Sequence, residues 1–154
     1  MKEICELYQE AKELYKQGVK VVSTDEKTGI QAIERQIIPM KAGLLQKQET
    51  EYIRHGTKCL ISNLEVATGK IISPSIGDSR TELDFLEHIK ATVKEDESAE
   101  WIFIVDQLNT HKSASLVEWI ADLCHYVGVL GKKGESGILK NMVFNISKKI
   151  NQKK

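Results

Sequence analysis

The chain has 154 residues, 41% hydrophobic and 29% charged, which suits one domain with a single core and excludes a disordered polypeptide. Its net charge of +0 excludes a uniformly basic nucleic-acid binder. No apolar run reaches the roughly 18 residues of a membrane span, and the charged start around Lys2 and Glu3 is not a signal peptide, so a cytoplasmic protein is expected.

Residues 2–17 set Ile4, Leu7, Tyr8, Ala11, Leu14 and Tyr15 at helical spacing among charges, predicting an amphipathic helix that Gly18 ends. Residues 19–24 are a β-branched run that predicts a strand leading into Asp25 and Glu26. Residues 27–56 are polar and broken by Gly29, Pro39 and Gly43, and read as a long loop of the kind that often carries function. His55 lies in it with no partner that sequence identifies. Residues 57–66 and 71–75 read as two strands of an antiparallel hairpin, with the turn at residues 67–70. Thr81, followed by Asp84 at the third position, caps a helix with Leu83, Leu86, Ile89 and Val93 near one face.

Residues 101–105 are uninterruptedly apolar, the pattern of a strand buried on both faces, and they end at Asp106. Ser113 caps another helix that turns Leu116, Val117, Ile120, Ala121, Cys124 and Val127 inward. Beyond Gly128, glycines alternate with lysines as in a flexible loop, and residues 142–146 make a short strand. Residues 130–154 carry seven lysines against Glu135, a +6 tail read first as a solvated end with weak, salt-sensitive affinity for phosphates. Cys5, Cys59 and Cys124 are odd in number and far apart, so reduced thiols are expected rather than disulfides or zinc. Trp101 and Trp119 are assigned to the core. The order of elements predicts an α/β fold, a mixed sheet with flanking helices.

Asp25 and Asp106 each terminate an apolar strand. If those strands lie side by side and parallel, both carboxylates emerge at one sheet edge, where ligands bind in open α/β sheets. Two close carboxylates repel unless a cation sits between them, and Mg2+ suits their hard oxygens and the transfer of phosphoryl groups. Alone, each aspartate is a turn former; only the pairing makes chemistry of them. Asn109 and His111 follow Asp106 closely and are candidates for orienting a phosphate or a metal-bound water.

Four blocks carry a family resemblance: residues 21–32 (Val-Val-Ser-Thr-Asp-Glu-Lys-Thr-Gly-Ile-Gln-Ala), residues 52–57 (Tyr-Ile-Arg-His-Gly-Thr), residues 101–111 (Trp-Ile-Phe-Ile-Val-Asp-Gln-Leu-Asn-Thr-His) and residues 131–140 (Gly-Lys-Lys-Gly-Glu-Ser-Gly-Ile-Leu-Lys). In this order they resemble the bacterial insertion-sequence branch of the mariner-like DDE transposases. The resemblance implies a ribonuclease H-like fold and cleavage and transfer of DNA strands at transposon ends. It also implies catalysis with Mg2+ or Mn2+ held by two aspartates and a third acid. Asp25 matches the first acid and Asp106 the second, with Asn109 and His111 at the polar positions that follow. Gln107 stands where the family usually has asparagine.

Two further departures bear on activity. Nothing corresponds to the family's preceding helix-turn-helix region, and no acid follows Glu135, which belongs to the glycine–lysine loop. The expectation is therefore a C-terminally truncated catalytic fragment: residues 1–18 a leading helix, 19–128 a partial ribonuclease H-like domain, and 129–154 the loop and basic tail. Such a fragment lacks the fold's last strand and helix. The strand at residues 101–105 then becomes an exposed edge, with residues 142–146 as the segment to cover it. The reading expects no activity alone. Its rivals are half of a split transposase completed by a partner chain, a non-enzymatic remnant that binds DNA or sibling transposases in a homo-oligomer or mixed complex, and an unrelated metal-dependent phosphatase.

Overall fold

In a computed structural model of the chain, residues 2–35, 42–43, 52–106, 108–134 and 137–140 are described. Helix α1 (Lys2–Lys16) leads into strand β1 (Val19–Glu34), then β2 (Ile53–Glu65), β3 (Lys70–Gly77), helix α2 (Glu82–Lys94), β4 (Glu100–Ile104) and helix α3 (Ala114–Leu123). Two-residue strands β5 (Lys132–Lys133) and β6 (Leu139–Lys140) follow.

Four strands form one sheet in the order β3-β2-β1-β4. β1 runs antiparallel to β2 and parallel to β4, and β3 is antiparallel to β2. This is the mixed sheet with flanking helices of a ribonuclease H-like fold, as the sequence led us to expect. On one face, Val22 and Ile61 of the sheet and Trp101 of β4 pack with Phe85, Ile89 and Val93 of α2 and with Leu116 and Ile120 of α3. α1 packs on β1 and buries Ala11, while Ile4, Tyr8 and Tyr15 stay exposed.

Three expectations are corrected. The long loop does not begin at residue 27: β1 continues to Glu34 and β2 starts at Ile53. Antiparallel pairing supplies the backbone hydrogen bonds of those polar residues whatever their side chains, and register shifts between Lys27 and Ile30 and between Gln31 and Ile33 absorb the irregularity around Gly29 (φ 70°). Second, β4 is not buried on both faces. Only Trp101 is buried, Ile102, Phe103 and Ile104 are half-buried and Val105 is exposed, because among the described residues no strand pairs with its outer edge. Third, the glycine–lysine segment pairs as β5 and β6, with Leu139 buried against Ala114 and Val117. Residues 142–146 lie outside the described residues.

The caps form as predicted. The Thr81 hydroxyl accepts from the Asp84 N–H at 3.3 Å, and the Asp84 carboxylate accepts the Thr81 N–H at 2.7 Å, a box worth about 1 kcal/mol. Hydrogen bonds from Ser79 and Thr81 hold the Asp84 carboxyl below the usual range. The Ser113 hydroxyl accepts from Leu116 N–H at 3.4 Å to start α3. All three cysteines are free, with Cys5 exposed, Cys59 buried and Cys124 half-buried.

Beneath α2 the core carries a polar chain. Thr24 donates to Asn63 Oδ1 (2.6 Å), Asn63 Nδ2 donates to Thr92 Oγ1 (2.6 Å), and Thr92 donates to the His88 carbonyl (2.9 Å). Thr24 and Asn63 are direct cross-strand partners, so this chain ties β1 and β2 to α2. Replacing Asn63 with leucine leaves two buried hydroxyls short of a partner. The expected loss is about 2 kcal/mol, read from the urea midpoint at unchanged slope.

His88 is buried beside the chain, with Nδ1 2.9 Å from Ser75 Oγ and Nε2 unpartnered among the described residues. Burial pushes its pKa down from 6.5 to about 4. The unfolded chain therefore takes up the proton first as pH falls. The stability owed to neutral His88 is complete above pH 6.5 and is lost as pH falls from there to about 4. Urea denaturation across that window should show a steeper decline for the parent than for His88→Gln.

Candidate active site

Strand alternation sorts the first half of β1 into two faces. Val22 and Thr24 are buried on the α2 side, and Glu26 follows them at the same period; Ser23 and Asp25 take the other face. The parallel ladder runs from Val19–Glu100 to Ser23–Ile104. Asp25 and Asp106 each come two residues after that last rung. Equal offsets on adjacent parallel strands bring both backbones to the same end of the β1–β4 ladder, past which β1 continues paired with β2.

Asp25 is exposed, lies opposite Ser62 of β2, and accepts the Glu26 N–H on Oδ1 at 2.8 Å. Asp106 is also exposed, yet His111 Nδ1 meets its main-chain carbonyl at 3.4 Å and its carboxylate has partners as well. Oδ1 accepts the Leu108 N–H at 2.9 Å and lies 2.8 Å from His111 Nδ1. Asn109 is exposed and opens a single 3-10 turn, Asn109–Lys112, that delivers His111 back toward the sheet.

His111 is buried with its ring against Phe85, centroids 4.1 Å apart. Its Nε2 lies 3.2 Å from Glu26 Oε1. An imidazole with a proton on both nitrogens serves Glu26 and Asp106 together; a neutral ring can donate to only one. The Glu26 side chain is 5% exposed, with Arg80 Nη1 3.5 Å from Oε2. Arg80 is the nearest cation to that oxygen, which among the described residues has no hydrogen-bond partner. Cys59 lies close by; burial first, and then the Glu26 charge, push its thiol pKa up, which makes it a poor nucleophile.

Among the described residues, no three His, Cys, Asp or Glu side chains are grouped so as to hold a metal ion by themselves. His55 pairs with Glu34 Oε2 at 2.5 Å on an exposed stretch of the β1–β2 hairpin, next to the Glu34–Ile53 rung. Gln107 and Glu135 lie outside the described residues. Glu26 was missed as a site residue in the sequence. The available signal was a charged residue two positions after Thr24 and four after Val22, on a strand whose core face those positions define.

A family model described as DDE superfamily endonuclease matches residues 20–130, a span containing Asp25, Glu26, Arg80, Asp106 and His111. No curated protein and no solved structure matches the chain.

Proposed function

Since this chain belongs to the DDE superfamily endonucleases, we propose that it is a transposase catalytic region of the mariner-like, bacterial insertion-sequence branch. In this reading it works in the cytoplasm on DNA at transposon ends, in metal-dependent strand cleavage and transfer. Residues 19–128 form the catalytic part, residues 1–18 the leading helix and residues 129–154 the basic extension. Asp25 and Asp106 are the metal-binding acids. The observation that carries the reading is their common offset beyond the last rung of two adjacent parallel strands.

The donor chemistry fits a divalent ion. Both groups are hard carboxylate oxygens of the kind Mg2+ and Mn2+ select, and neither Oδ2 is engaged by a protein group among the described residues. When bound, the ion offsets phosphate charge and activates the attacking oxygen. Asp25 and Asp106 hold it, Leu108 N–H and His111 fix one oxygen of Asp106, and exposed Asn109 orients a phosphate.

The family's third acid has no counterpart after Glu135 in these 154 residues. We therefore assign to residues 1–154 no cleavage by themselves, because two carboxylates leave the clamp on the reacting phosphate incomplete. A second reading, a split transposase completed by a partner chain or oligomer, is supported by β4, whose outer edge pairs with no strand among the described residues.

Incubated with Mg2+ or Mn2+ and DNA bearing the element's ends, residues 1–154 should leave the substrate intact. Robust nicking abolished by Asp25→Ala would overturn the claim of inactivity alone. In a complex with a chain that supplies the third acid, cleavage should appear, and Asp25→Ala or Asp106→Ala should lower it roughly a hundredfold or more. Cleavage indifferent to both substitutions would dismiss the two aspartates as the site.

A further inference from the structure

Glu26 is a carboxylate at a core-face position, and the chemistry assigned to Asp25 and Asp106 does not use it. Its nearest partner is His111, whose other nitrogen reaches Asp106. We infer that Glu26 and His111 are a positioning pair for Asp106: Glu26, fixed in β1, holds the imidazole, and the imidazole holds Asp106 Oδ1, so that the second oxygen is presented to a divalent ion in one orientation. The inference rests on the reading of Asp25 and Asp106 as metal-binding acids.

The geometry supports a brace in preference to a direct contact with substrate. The His111 ring is buried, stacked obliquely on Phe85, and both nitrogens face carboxylate oxygens. It has no free nitrogen to offer a phosphate. Asp106 itself is exposed and lies past the end of β4, so the ladder does not restrain it. The Leu108 N–H donates to Oδ1. His111 Nδ1 lies 2.8 Å from that same oxygen and makes its hydrogen bond with the Asp106 main-chain carbonyl at 3.4 Å, so the ring holds the backbone and the carboxylate of Asp106 together. The Glu26–His111 contact joins residues 85 apart in sequence and links β1 to the loop after β4 just where the parallel rungs stop. Arg80, from the segment before α2, approaches the other Glu26 oxygen and steadies the anchor. Partners of this kind, which orient a ligand without touching the ion, typically change metal affinity by about 10- to 100-fold when removed.

The test is a titration of residues 1–154 with Mn2+ alone into the millimolar range, followed by paramagnetic broadening of amide NMR signals. The parent should broaden first around Asp25 and Asp106. Glu26→Gln and His111→Leu should each need roughly tenfold more Mn2+ or worse, with metal-free spectra that remain those of the folded chain. His111→Asn, whose side-chain N–H can still reach Asp106, should regain most of the affinity. Unchanged affinity in Glu26→Gln or in His111→Leu overturns the pair. His111→Asn as weak as His111→Leu overturns the hydrogen-bond account in favour of ring bulk. Should His111→Leu not fold, Glu26→Gln and His111→Asn decide the matter. Failure of the underlying site looks different: no local broadening in the parent, or broadening that survives both Asp25→Asn and Asp106→Asn.

Discussion

The parallel pairing of β1 with β4 is the constraint on which the site depends. The two strands point the same way and share five rungs from Val19–Glu100 to Ser23–Ile104. The backbones of Asp25 and Asp106, each two residues past the last rung, therefore come to the same end of that ladder, while β1 itself runs on to Glu34. An antiparallel β4 would have sent Asp106 to the opposite end. Parallel neighbours need a crossover, and β2, β3 and α2 supply it between them. The near end of the pair is fastened by several groups. Glu100 N–H donates to the Gly18 carbonyl at 3.0 Å, Lys20 pairs with Asp96 at 3.0 Å, and the same ammonium lies 5.0 Å from the Trp101 ring centroid. Trp101 Nε1 in turn donates to the Asp96 carbonyl. A strand of only five residues is thus set in register by its first two.

The α2-facing side of β1 is a column whose character changes along its length. Val22 is apolar and wholly buried, Thr24 is polar and satisfied by Asn63, and Glu26 carries a carboxyl group that faces His111 and Arg80. Each step toward the acidic edge adds polarity, and each is matched by a partner from another element. Unmatched, such groups would oppose folding; matched, they fix β1, β2, α2 and the post-β4 turn against each other with directional bonds. The acids sit at the end of this cross-tied frame while remaining open to solvent themselves.

The β1–β2 hairpin shows how pairing overrides local composition. Polar residues around Gly29 do not resemble a strand in isolation, and their side chains are exposed on both faces. Their backbone groups nevertheless find partners as far as Glu34–Ile53. On β3, Pro74 and Ser73 (φ 42°) sit where the register with β2 slips between Ile61 and Asn63, on an edge strand that tolerates a missing donor.

Local chemistry was legible without coordinates. Gly18 as a helix stop, Thr81–Asp84 and Ser113 as caps, the hairpin around residues 67–70, and Asp106 after an apolar strand all rest on preferences acting over a few residues, whereas Asp25 lies within β1 and does not end it. Long-range choices were not. That β1 keeps pairing to Glu34, that Lys132–Lys133 joins Leu139–Lys140, and that Glu26 meets His111 depend on partners distant in the chain. Sequence fixes what each side chain can donate, accept or bury. Only folding chooses which group receives it, because that choice is made by register and proximity between segments that periodicity treats separately.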